Sequence, residues 1–146
     1  MEERGEKEKQ AEAQALILRL QQYQAQMEAT TQELALLNQT ISEHDKAIET
    51  IKQLKKMKVG DELLVSIGAG SLVYVTLSST DKVIVRLGAG VSAEKDPDSS
   101  IEFLKGKKEE LEKLQGELTA NLQKVQQEAQ KIQAKLQEII AARQNV

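Results

Sequence analysis

Between Leu16 and Ile51 the apolar side chains recur in alternating steps of four and three residues. The line reads Leu16, Leu20, Tyr23, Met27, Thr30, Leu34, Leu37, Ile41, His44, Ile48 and Ile51, and nine of these eleven are apolar or aromatic. With Leu16 taken as position d, this is a heptad seam of about five repeats, which predicts a coiled-coil helix. A second line begins at Ile101. Its d positions, Leu104, Leu111, Leu118, Val125, Ile132 and Ile139, are all apolar. Its a positions are mixed: Ile101, Lys108, Gln115, Leu122, Ala129 and Leu136. Asp96 supplies an N-cap for this helix, Pro97 a first-turn residue, and Asp98 a negative charge at the positive end of the dipole. Gly106 and Gly116 fall inside it, at a cost of about 1 kcal/mol each relative to Ala. Both helices are predicted at about 45–50 residues, roughly 70 Å. Helices of equal length, each with one bare seam, are natural antiparallel partners. The two chain ends then lie together at the far end of the arm.

The stretch between them changes period. Leu63–Ile67, Leu72–Leu77, Lys82–Leu87 and Val91–Glu94 are rich in Val, Ile and Leu and read as strands. Gly68-Ala69-Gly70 and Gly88-Ala89-Gly90 interrupt them, 20 residues apart, so two hairpins repeat. Gly68, Gly70, Gly88 and Gly90 supply the positive φ that tight hairpin turns demand. Ser78–Asp81 is a polar turn joining the hairpins. The chain therefore divides into a helix over 1–58, a β body over 59–96 and a helix over 97–146. The fold class is α+β: a long antiparallel two-helix coiled coil with two β-hairpins at its base. A body of this size buries too little to stand alone and leaves sheet edges unpaired. Its strands are apolar on both faces, notably at Leu72–Tyr74 and Val83–Val85. Leu64, Val65, Ile67, Leu72, Val73, Tyr74, Val75, Val83, Ile84 and Val85 are thus expected to mediate oligomerisation, closing with other subunits into a shared barrel.

Composition sharpens this reading. Aromatics are 2% of the chain, so any core is aliphatic, and a 29% charged fraction with few prolines suits long helices. Cysteine is absent, which excludes disulfides, thiolate metal sites and cysteine nucleophiles and fits an intracellular protein. The charged start lacks the apolar core of a signal peptide, and no apolar run reaches membrane-spanning length. A soluble, cytoplasmic protein with no membrane partner is expected. The net charge of −3 is spread with mixed signs and forms no basic stripe, so nucleic-acid binding lacks electrostatic support. The single histidine, His44, sits at a d position and reads as a polar interruption that fixes register. Strands rather than helices follow the Gly-Ala-Gly segments, so they are turns and not phosphate cradles. No enzyme, metal or cofactor chemistry is expected. Lys52, Lys55, Lys56 and Lys58 complement the C-terminal end of the first helix dipole.

Helix, two hairpins, helix resembles the α-type subunit of the prefoldin family. The family's first hairpin typically reads Val-Pro-Val-Gly-Ala-Gly-Ser-Phe, and here Val65-Ser66-Ile67-Gly68-Ala69-Gly70-Ser71-Leu72 stands in its place. The second typically reads Val-Ser-Val-Gly-Ala-Gly before a small apolar stretch, matched by Val85-Arg86-Leu87-Gly88-Ala89-Gly90-Val91-Ser92-Ala93. Ser66 and Leu72 depart from the usual Pro and Phe. The resemblance implies a hexamer of two α-type and four β-type subunits with a double β-barrel and six coiled-coil arms. It also implies an ATP-independent holding chaperone that captures unfolded client proteins between the arm tips and transfers them to a group II chaperonin.

Such a holdase needs water-accessible apolar surface without a deep selective pocket. Ile17 and Leu18 exceed the seam formed by Leu16 and Leu20, and Ile140 exceeds the seam at Ile139. These six residues are the expected client-binding tips, with both helices carrying surplus apolar groups where the two ends of the hairpin meet. Residues 1–13 carry little apolar surface and are expected to fray. The alternative is a structural coiled-coil scaffold or filament subunit without a client-binding role. Apolar exposed tips and a closed hexamer with a β-type partner favour the chaperone. Inert tips and open-ended growth favour the scaffold.

Overall fold

The computed structural model describes residues 2–144, with the side chain of Glu2 outside that description. Met1, Asn145 and Val146, which belong to the expected helical segments 1–58 and 97–146, lie outside the described residues. The elements are α1 (Glu2–Leu54), β1 (Glu62–Gly68), β2 (Ser71–Thr76), β3 (Val83–Gly88), β4 (Val91–Lys95) and α2 (Pro97–Gln144). α1 is helical from Glu2. Its first turns are rich in Glu, Lys and Ala, which favour helix, and Glu suits the positive end of the dipole. At the other end α1 stops at Leu54, so the last of the four lysines lie beyond it.

Two compact units divide the chain. One combines the N-terminal part up to Asn38 with the C-terminal part from Lys113, and the other is Gln39–Glu112. In the first, the two helices are cross-linked by Asn38 with Gln115 and by Glu12 with Lys135 at 3.2 Å. Rising numbers on α1 meet falling numbers on α2, so the pair is antiparallel. The seam positions are half-buried or buried throughout, with Leu37, Val125, Ala129 and Ile132 best covered. Thr30 is also buried in the seam.

In the second unit Ile48 and Ile51 of α1, Ile101 and Leu104 of α2 and Val83 of β3 form one cluster. Each buried aliphatic side chain there contributes about 1.5–3 kcal/mol from apolar burial. Two ion pairs again run antiparallel, Lys55 with Asp98 and Lys108 with Asp45, the latter at 2.6 Å. Lys108 is an a-position residue that the hydrophobic pattern leaves unexplained. Its ammonium is held above the ordinary lysine range, first by the Asp45 hydrogen bond and also by Glu112 at 3.4 Å. The start of α2 is capped as the sequence predicts. Ser99 N–H donates to Asp96 Oδ1 at 2.6 Å, and Ser100 N–H and Oγ both donate to the Asp96 carbonyl. Hydrogen bonding from Ser99, with the Lys95 charge nearby, lowers the Asp96 carboxyl below its ordinary value.

The strands form two separate two-stranded antiparallel sheets, β1–β2 and β3–β4. The first pairs Leu63 with Val75, Leu64 with Tyr74 and Ser66 with Leu72; the second pairs Ile84 with Glu94 and Val85 with Ala93. Backbone bonds from Gly60 to Leu77 and from Leu77 to Asp61 extend the first ladder. Each turn is a two-residue loop, Ala69-Gly70 or Ala89-Gly90, closed by the pairs Gly68–Ser71 and Gly88–Val91. φ is positive at both loop residues, 50° and 72° in the first turn and 51° and 77° in the second, as the type I′ hairpin turn requires. A bulge precedes each turn, at Ile67 and at Leu87.

Candidate interaction surfaces

In the unit that joins residues 1–38 with 113–146, the heptad frame sorts the apolar residues. Leu16, Leu20 and Ile139 lie in the seam and are half-buried. Ile17, Leu18 and Ile140 are 46%, 58% and 53% exposed, so they do not widen the intramolecular seam. With Leu16 and Ile139 at d, Ile17 and Ile140 both occupy e positions and Leu18 an f position. In an antiparallel pair, e positions of both helices border the same flank of the seam. That flank is the apolar one, whereas the opposite flank at this level is bridged by Glu12 and Lys135, both g residues.

The surplus groups share a flank but not a level. A groove lined by Glu6, Lys9, Ile139, Ala142 and Arg143 sets Ile139 opposite the second turn of α1. A second groove sets Leu20 and Gln24 opposite Gln126–Gln133. Ile140 is therefore about ten residues, or roughly 15 Å, further out than Ile17. The antiparallel register decides this, and neither helix reveals it by itself.

The β body presents a second apolar surface. On the first hairpin, Leu64, Leu72 and Tyr74 point to one face and all are exposed, Tyr74 at 75%. Leu63, Val73 and Val75 share the other face and are half-buried, while Val65 on that face and Ile67 at the bulge remain exposed. On the second hairpin, Ile84 is 71% exposed on one face. Val83 and Val85 turn to the other, where Val85 is only 4% exposed. Val85 is thus already covered within this chain and offers no surface to a partner. Uniform hydrophobicity along Val83–Val85 hid this inward face. Several large exposed aliphatics on two small sheets form the kind of patch that marks interaction.

The other marked residues play local parts. His44 is half-buried and its Nδ1 lies 2.8 Å from the Thr40 carbonyl, within its own helix. Lys55 is committed to Asp98 and Lys52 pairs with Glu49 at 3.6 Å. Phe103 lies between two lysines, with Lys95 Nζ 5.4 Å and Lys107 Nζ 5.8 Å from its ring centre. Among the described residues no group of His, Cys, Asp and Glu is arranged to hold a metal ion, and no helix is long and apolar enough to cross a membrane.

The family profile described as Prefoldin subunit matches residues 23–142. Prefoldin subunit alpha of Methanosarcina mazei is 37% identical over 85% of this chain and 89% of its own length. Prefoldin subunit alpha of Methanothrix thermoacetophila is 44% identical over 66% of this chain, a match that spans 63% of that relative. Among solved structures, the filamentous PFD from Methanocaldococcus jannaschii, determined by cryo-electron microscopy, is similar with a TM-score of 0.63 and 26% identity. That match covers 84% of this chain and 96% of that one. Paired heptad helices, two Gly-Ala-Gly hairpins and these relatives agree: the chain belongs to the prefoldin family of chaperones, as a subunit of the alpha type.

Proposed function

We propose that this chain is the α-type subunit of an ATP-independent holding chaperone of the cytoplasm. It binds unfolded proteins at its coiled-coil tips and passes them to a group II chaperonin. The observation that carries this reading is the exposure of Ile17, Leu18 and Ile140 outside a seam that is already complete without them. Exposed apolar groups on rigid helices, with no enclosing pocket, hold apolar segments of many sequences. One arm binds weakly, and several arms around one client gain by effective concentration. The exposed faces of Leu64, Leu72, Tyr74 and Ile84 support assembly with β-type subunits, two α to four β, through a shared barrel. Closure of that barrel also pairs strand edges that would otherwise aggregate.

Ile17→Ser with Ile140→Ser tests the tips. The assembly is expected to remain intact by sedimentation, while suppression of aggregation of a denatured enzyme falls severalfold. Undiminished suppression overturns the tip assignment. A second reading, a filament subunit, is favoured by the filamentous assembly of the Methanocaldococcus jannaschii neighbour. Electron microscopy of this chain alone and with a β-type partner separates the two. Closed particles of fixed mass support the chaperone hexamer, and length-variable fibres formed by this chain alone support the filament.

A further inference from the structure

The groove between Leu20, Gln24 and Met27 of α1 and Gln126, Ala129, Gln130 and Gln133 of α2 differs from its neighbours. Its floor is apolar, with Leu20 and Met27 half-buried and Ala129 buried, and its rim is four glutamine side chains. No charged residue lines it. The adjoining grooves carry Glu6, Lys9 and Arg143, or Glu12 and Arg19. Gln24, Gln126 and Gln133 are all e residues, on the flank that bears Ile17 and Ile140. Ile17 lies one heptad outward from Gln24 on α1, and Ile140 one heptad outward from Gln133 on α2. Apolar tip and amide-rimmed groove are thus continuous along one flank.

We propose that this groove holds the extended backbone of an unfolded polypeptide, a role that rests on the chaperone reading and deepens it. An unfolded chain differs from a folded one in presenting free backbone N–H and C=O groups. A glutamine amide offers both donors and an acceptor without charge, so it pairs with peptide groups whatever the client's sequence. None of the four amides makes a hydrogen bond among the described residues, so all are available. The apolar floor accepts alternate client side chains, and Ile17 and Ile140 take those further out. Two heptads of flank, roughly 20 Å, match about six extended residues. On the opposite flank, further out than the groove, Glu12 and Lys135 form an ion pair at 3.2 Å.

The chain has no cysteine, so Gln24→Cys and Gln26→Cys each create a unique attachment point on opposite flanks. Each is labelled with a benzophenone maleimide, assembled with a cysteine-free β-type partner and challenged with guanidine-denatured rhodanese. Crosslinking to rhodanese is expected at least about fivefold more from position 24 than from 26. The pairs Gln24→Glu with Gln133→Glu and Gln24→Lys with Gln133→Lys keep helix propensity. Both are expected to raise the chaperone concentration needed for half suppression by about fivefold, because either charge must be desolvated against a neutral backbone. Opposite effects of the two signs, equal crosslinking from the two flanks, or crosslinks into another subunit overturn the groove while leaving tip binding in place. Failure of the unaltered assembly to suppress rhodanese aggregation removes the chaperone reading as well.

Discussion

Replacing Ile51 by Ala probes the junction on which both helices and the second hairpin depend. Ile51 is 4% exposed and packs with Ile48, Ile101, Val83 and Leu104. Removing three carbons forfeits about 2.4 kcal/mol of transfer energy. The neighbours come from two helices and a strand and cannot all collapse into the space, which raises the loss to about 3.5 kcal/mol, in the middle of the 2–5 kcal/mol range for such truncations. Alanine's better helix propensity returns about 0.4 kcal/mol. The net expectation is a loss of about 3 kcal/mol. Urea denaturation followed by helical circular dichroism at fixed protomer concentration measures it, since assembly makes the midpoint concentration-dependent. Leu18→Ala is the control: Leu18 is 58% exposed, so its loss is expected to stay within about 0.5 kcal/mol. A loss below about 1 kcal/mol for Ile51→Ala, or an equal loss for Leu18→Ala, refutes the division between structural seam and free surface.

Two further changes act locally. Ala69 and Ala89 sit at φ 50° and 51°, where asparagine is better tolerated, so Ala69→Asn with Ala89→Asn is expected to raise the thermal midpoint by a few degrees. A lowered midpoint by calorimetry contradicts the turn assignment. Asp96 has a lowered folded-state pKa, so its contribution is complete above the ordinary value of 3.8 and disappears as pH falls through the folded value. Asp96→Ala should therefore unfold earlier than the native chain at pH 7, with the difference shrinking below about pH 3.8. A gap that persists at pH 2 in acid titrations would assign the effect to something other than the carboxylate.

The seam was legible because its period is strict. Each a or d residue from Leu16 to Ile51 and from Ile101 to Ile139 is at least half-buried, and Ile17, Leu18 and Ile140 stand outside it. The hairpins were legible from their glycines. What the residues of one helix do not contain is the register against the other. That register separates Ile17 from Ile140 along the axis and gives Lys108 and Gln115 their partners Asp45 and Asn38. The inward face of Val85 was hidden because Val83, Ile84 and Val85 are alike apolar, leaving no alternation to read. The glutamine-rimmed groove was invisible for a similar reason. Glutamine on a helix surface carries no signal until three residues from α2 and one from α1 are brought around Leu20 and Met27.

Hydrogen–deuterium exchange on the α/β-type assembly, with and without bound denatured rhodanese, asks most directly where clients are held. Slowed exchange confined to segments 13–27 and 126–142, with strands 62–95 unchanged, is the predicted result. Slowing within the strands, or no change at the distal segments in a complex that demonstrably carries client, would contradict the claim that the coiled-coil ends do the holding.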